Sequence, residues 1–190
     1  MSKVARLAFR WQRSALQRVY GFDRWHVGHA GETYARDIVR TLNGWPDSER
    51  ESVVEIGCGL GDILRHLRFR ERLGLDMDRG ALEAARLLAR FQRGQSPRFE
   101  PFEFPRSPLT GVYNAIILVN WIHQVERDIV AGAVRTYAAH HLRPGGAVVL
   151  DTVDDPAYEH NHDVRALAWP GASIEQVGRY PRGRHVWVLR

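Results

Sequence analysis

Residues 53–64 read VVEIGCGLGDIL. An apolar, β-branched run with one acid inside it, Glu55, leads into glycines at every second position: Gly57, Gly59 and Gly61. An ordinary strand-to-helix turn needs one glycine or two. Three in alternation predict a backbone that something approaches too closely for a Cβ to be tolerated. The spacing is not that of the dinucleotide fingerprint G-x-G-x-x-G, because the third glycine comes one residue early. A buried strand accepts a carboxylate only with a partner, and the cationic end of a ligand would give Glu55 one.

Outward from this stretch, strands alternate with helices. SVVEI, RLGLD, PRFEPFEF, YNAIILV and AVVLDTV read as five strands, and SIEQVGRY and HVWVLR as two more, closed into a hairpin across PRGR. A helix is predicted to open at LGDILRHLRF, and another at DRGALEAARLLARFQ with Asp78 as N-cap. A third, VERDIVAGAVRTYAAHHL, ends at RPGG, and a short one falls near 164–169. This order predicts an α/β fold with a doubly wound, mostly parallel seven-stranded sheet and an antiparallel C-terminal hairpin. Two helices precede it. Over 3–20, Val4, Leu7, Ala8, Trp11, Ala15 and Val19 form an apolar stripe, with Lys3, Arg6, Arg10, Arg13 and Gln17 opposite. The second spans 33–43 and stops at NGWP. The glycine-rich segment 21–31 between them reads as a loop. The division expected is an N-terminal helical arm or lid over 1–50 and a ligand-binding domain over 51–190.

Composition bounds the function. The 190 residues, 44% hydrophobic and 26% charged, suit a globular chain that buries its own core without staples. Cys58 is the only cysteine, so no intramolecular disulfide forms, and a reducing, cytoplasmic setting is expected. No apolar run approaches the roughly 20 residues of a membrane span, and no secretory signal opens the chain. The net charge of +5 equals that of residues 1–20, which hold Lys3, Arg6, Arg10, Arg13 and Arg18 and no acid. The body is balanced, so nucleic acid is not the expected partner.

The chain from Ser52 onward resembles the class I S-adenosylmethionine-dependent methyltransferases. EIGCGLG matches their first motif, an acid followed by alternating glycines after strand 1. GLDMD resembles the end of their second strand. The resemblance implies a cofactor site made by Glu55, Gly57, Gly59, Gly61 and Asp76, with Asp76 accepting from the ribose hydroxyls and Met77 packing on adenine. FEF resembles the third-strand motif and implies that Glu103 caps the adenine amino group, where the family more often has Asp. YNAIILVNWIH and LRPGGAVVLDTV resemble strand 4 and strand 5, with Asn114 where the family often has Asp. The Rossmann-like dehydrogenase and a cofactor-binding subunit without catalysis stay open beside this reading.

Methyl transfer to a hydroxyl needs the acceptor's proton removed. NWIH follows strand 4, whose end faces the methyl group in that fold. His123 is therefore the candidate base and Asn120 the candidate orienting group, with Trp121 between them. YEHNHD places His160 and His162 on the loop after strand 5, read as substrate contacts; no metal is expected. Trp25, His26 and Tyr34 are candidates to roof the acceptor pocket. The absence of a sizeable insertion points to a small-molecule or glycan acceptor. A looser resemblance to small bacterial methyltransferases of surface-polysaccharide biosynthesis suggests O-methylation of a sugar, on a nucleotide- or lipid-linked glycan. Small-metabolite or natural-product O- or N-methylation stays open. For residues 3–20, two surfaces are open: the domain itself, as a lid, or an anionic membrane face.

Overall fold

The computed structural model describes residues 3–27, 33–92 and 94–190; the side chains of residues 3–8 and 10 also lie outside the description. Part of the loop expected over 21–31 therefore lies beyond the described residues, as do the stripe side chains Val4, Leu7 and Ala8. Seven strands form one sheet: β1 (Ser52–Ile56), β2 (Glu71–Asp76), β3 (Arg98–Pro101), β4 (Tyr113–Leu118), β5 (Leu142–Thr152), β6 (Ile174–Tyr180) and β7 (Arg184–Leu189). Their order is β3-β2-β1-β4-β5-β7-β6. The first five are parallel, and β7 runs antiparallel to β5 and to β6. The strand order reverses between β1 and β4, where ligands of doubly wound sheets bind.

Helices α1 (Lys3–Tyr20), α2 (Thr33–Asn43), α3 (Arg79–Arg90), α4 (Arg127–His140) and α5 (Val164–Leu167) surround the sheet. Every residue of β1 and β4 is buried, as expected for strands covered on both faces. The pleat sends alternate residues to opposite cores. Ala115 and Ile117 pack on the side of α2 and α3, with Ile38, Leu42 and Ala85. Ile116 and Leu118 pack on the side of α4 and α5, with Val130, Val134 and Leu167. Asp78 caps α3, its side chain accepting from Ala81 N–H at 3.0 Å.

Two expectations are corrected. No α-helix forms between β1 and β2; a single 3₁₀ turn, Leu64–His66, stands there. The glycine loop consumes the start of the crossover and Leu67–Arg70 must return to β2, so one turn is all that fits. The second correction concerns α1. Its predicted stripe is not the docking face. Trp11 is 78% exposed and Val19 74%, whereas Arg13, assigned to the wet face, is 1% exposed. The helix docks on its opposite side. Leu16 and Tyr20 pack against Phe22, Leu60, Ala81 and Ala84. Gly80 has no Cβ, and the Tyr20 carbonyl occupies that space. The Arg13 guanidinium meets the Asp62 carboxylate, which also receives Arg65 at 2.7 Å. A carboxylate on the glycine loop and a small-residue face on α3 thus decide which way the helix turns.

Arg13→Met keeps the aliphatic stem and removes the cation. It is expected to lower stability by about 1–3 kcal/mol, the usual cost of stripping a partner from a half-buried charge. Urea unfolding measures the loss, and hydrogen exchange should show faster opening confined to residues 3–20.

Candidate active site

The glycine loop is held by its neighbours from the start. The N–H groups of Gly57 and Cys58 both donate to the Leu75 carbonyl, at 2.7 and 3.0 Å. Gly59 N–H donates to Asp76 Oδ2 at 2.7 Å, and Asp78 N–H donates to Asp76 Oδ1 at 2.9 Å. Gly57, Gly59 and Gly61 all have positive φ, of 73°, 50° and 68°, which side chains rarely adopt. The close approach inferred from sequence is real, and rings of the protein make it. A Cβ on Gly57 would enter the Trp121 indole; one on Gly59 would lie 2.7 Å from His26 Nδ1, and one on Gly61 2.8 Å from the Phe99 ring.

Two chambers open beyond the strand ends. The larger, about 490 Å³, is lined by Asp76, Met77, Phe102, Phe104 and Trp121. That volume falls in the roughly 300–1,000 Å³ range of small-molecule sites. The smaller, about 60 Å³, is lined by Glu55, Tyr34 and Asn120. Gly57, Trp25 and His26 line both, and so mark their junction. The Trp25 and His26 rings lie 4.4 Å apart between centroids, tilted by 32°. Both belong to a 3₁₀ turn, Arg24–Val27, that is tied to α3: Asp23 N–H donates to Asp78 Oδ2 at 3.0 Å, and His26 Nε2 lies 3.6 Å from the same oxygen.

Electrostatics divide the acids by role. Burial pushes Glu55 up to about 8, against the single hydrogen bond it accepts from Leu64 N–H at 3.1 Å. It is a neutral acid at pH 7 until a cation arrives. Burial works to raise Asp62 as well, but Arg13 and Arg65 outweigh it and hold that carboxyl below its ordinary range. Burial lowers His26 in spite of the nearby Asp76, Asp78 and Asp23, so its imidazole is uncharged at neutral pH.

Around the strand ends the remaining sequence candidates separate. Asn120 lines the small chamber with φ of 76°, its N–H donating to Asp151 Oδ1 at 2.7 Å. Trp121 donates from Nε1 to the Ile56 carbonyl at 2.7 Å and meets Phe104 edge-on at 4.8 Å. Met77 is exposed on the rim of the larger chamber. Glu103 points away: it is paired with Arg106 at the surface, and its neighbours Phe102 and Phe104 line the chamber instead. His123 is 3% exposed, lies 4.2 Å from the Tyr158 ring and lines neither chamber. His160 stacks on His162, and His162 Nε2 donates to the Ile122 carbonyl at 2.8 Å; neither lines a chamber. Among the described residues, no group of three or more His, Cys, Asp or Glu side chains gathers as a metal site would require.

Sequence reading missed Asp62 and Asp151, and gave Asp78 a capping role without its contact to Asp23. Asp151 is buried and paired with Arg184, whose guanidinium lies 5.0 Å from the Tyr34 ring centroid. The acid directly after the glycine run and the acid ending AVVLD were the available signals. Nothing local announced Arg13 or Arg184 as their partners.

Fold and site together define a doubly wound α/β protein with two chambers beyond the carboxyl ends of its parallel strands. A family model described as a methyltransferase domain matches residues 27–188. Among solved structures, magnesium protoporphyrin IX methyltransferase from Synechocystis, with bound S-adenosylmethionine, is 16% identical. It aligns over 98% of this chain and 95% of its own, with a TM-score of 0.68. An amino pentose methyltransferase of calicheamicin biosynthesis from Micromonospora echinaspora is 17% identical over 86% and 92%, TM-score 0.62. An N-methyltransferase from Bradyrhizobium japonicum is 15% identical over 83% and 93%, TM-score 0.65. A search of curated protein sequences gives no match. The chain belongs to the methyltransferase-domain family and is an S-adenosylmethionine-dependent methyltransferase.

The residues present fit that cofactor. A buried neutral acid, Glu55, waits for a cation; Asp76 ends β2 beside a chamber with aromatic walls; the two chambers share Trp25, His26 and Gly57 as walls. When bound, the cofactor supplies an electrophilic methyl on a sulfonium. The chain's part is to hold both ends, align the acceptor and keep water out.

A group whose pKa rises on folding contributes stability that is complete below its unfolded value, near 4.5, and is lost as pH climbs through about 8. The wild type should therefore lose melting temperature relative to Glu55→Gln between pH 5 and 9. A cationic ligand beside Glu55 should expel its proton. Calorimetry of S-adenosylmethionine binding at pH 7, in two buffers of different ionisation enthalpy, should show proton release in the wild type and none from Glu55→Gln. Gly59→Val, which strikes the His26 ring, should abolish that binding.

Proposed function

We propose that the chain O-methylates a sugar, or another small hydroxyl acceptor, docked at the junction of the two chambers. The observation that carries this reading is His26. It lines both chambers, burial keeps it uncharged, and Asp78 lies on its Nε2 side. An uncharged imidazole at that junction can take a hydroxyl proton. Trp25 and Tyr34 offer ring faces on which a sugar can lie, and Asn120 a polar group to orient it. With Glu55, the three glycines, Asp76 and Met77 assigned to the cofactor, we give Trp25, His26 and Tyr34 the role of roof. The short connections support a small acceptor, free or carried on a nucleotide or lipid.

The burial of His123 favours a second reading, N-methylation. An amine acceptor that arrives neutral has its own lone pair and needs no base at that position.

Transfer of labelled methyl to a panel of nucleotide sugars, free sugars and amines tests both. For a hydroxyl acceptor, His26→Ala should lower turnover about 10²–10⁴-fold, with cofactor affinity changed little. His123→Ala should cost a few-fold. Full turnover by His26→Ala on the same acceptor would exclude His26 as the base. Activity confined to amines would replace the hydroxyl reading, and cofactor binding with no transfer to any acceptor would favour a non-catalytic subunit.

A further inference from the structure

The face of α1 that sequence periodicity marks as apolar is the face the fold leaves uncovered. Phe9, Arg13, Leu16 and Tyr20 look inward: Arg13 is 1% exposed, with Phe9 beneath its guanidinium at 4.5 Å, and Leu16 and Tyr20 pack against the α3 side of the molecule. Trp11, 78% exposed, lies about half a turn away around the axis, and Val19, 74% exposed, about a quarter turn. The helical period sets Val4, Leu7 and Ala15 on the same stripe as Trp11 and Val19. It also sets the exposed Arg18 within about 20° of Trp11. Lys3 and Arg10 fall at the stripe's border by the same period.

We propose that the outer face of α1 is a docking surface for an anionic lipid bilayer. Charge chooses the occupant. Residues 1–20 carry five cations and no acid, and Asp62 claims only Arg13. Two copies of this face would bring six cations together, Lys3, Arg10 and Arg18 from each, and repel. A nucleic acid would use the cations and leave Trp11 and Val19 in water. An anionic bilayer satisfies both sets at once: cations at the headgroups, indole and valine at the acyl boundary. No helix among the described residues is long and apolar enough to cross a membrane, so the contact is peripheral. The chain leaves α1 through Gly21 into the Arg24–Val27 turn, so the docked helix would bring the roof of the site close to the lipid surface. The inference stands whatever the acceptor is.

The test is sedimentation of the full chain with vesicles of phosphatidylglycerol and phosphatidylcholine at low salt. At least tenfold stronger binding to the anionic vesicles than to pure phosphatidylcholine is expected, falling as salt rises. Trp11→Glu should weaken it at least tenfold and Val19→Glu should also weaken it. Both variants should keep wild-type melting and S-adenosylmethionine affinity, since neither residue touches the core or the site. No binding to anionic vesicles would overturn the proposal. So would unchanged binding by Trp11→Glu, which would mark a simple polyanion contact. Concentration-dependent dimers that Trp11→Glu abolishes would assign the face to a second copy instead.

Discussion

Asp76 accepts from Gly59 N–H with one oxygen and from Asp78 N–H with the other. Those two bonds join the loop after β1 to the loop after β2, and the geometry around the site follows from the junction. Gly59 must keep a positive φ to aim its N–H at the carboxylate. Its bare Cα then leaves the space that His26 fills. Asp78, fixed in place by its own N–H, caps α3 and receives the roof. One carboxylate at a strand end therefore orders a loop, a helix and the turn Arg24–Val27. The donors it holds are backbone groups, which no substitution elsewhere can remove.

The loop carries an electrostatic problem that the N-terminus resolves. Glu55, Asp62, Asp76 and Asp78 crowd one end of the sheet. In many βα units the positive end of a helix would face such a cluster. Here the 3₁₀ turn Leu64–His66 supplies too few aligned peptides to do so. The compensating charge arrives as Arg65 from the crossover and Arg13 from α1. Glu55, out of reach of both by direct contact, responds by holding its proton.

Much of this was legible in the chain, and the failures share a cause. The alternating strands, the bounds of α1 and α2, the Asp78 cap and the glycine loop follow from local pattern and turn chemistry. The orientation of α1 does not. Periodicity says that a stripe exists, and the choice of docking side depends on Asp62 and the small face of α3, both far away in sequence. The helix expected after the glycines had the right amphipathic look and too few residues. In Phe102-Glu103-Phe104 the alternation was visible, but which face meets the chamber is set by the β2 pairing; the rings won and the acid faces Arg106. The 3₁₀ turn Ile122–Gln124 similarly buries His123 beneath Tyr158. His26 was expected in the roof, but no motif marked its place between the two chambers and beside Asp78, which tertiary packing sets.

The roof hangs from a helix cap. Asp78 uses Oδ1 for Ala81 and Oδ2 for Asp23, so the two attachments are independent. Lifting the roof breaks a hydrogen bond worth about 1 kcal/mol net and leaves α3 capped. Gly21, with φ of 70°, sits just ahead of the moving piece as a ready pivot. Admission and release can then proceed by a small local hinge, with the sheet and its cofactor loop standing still.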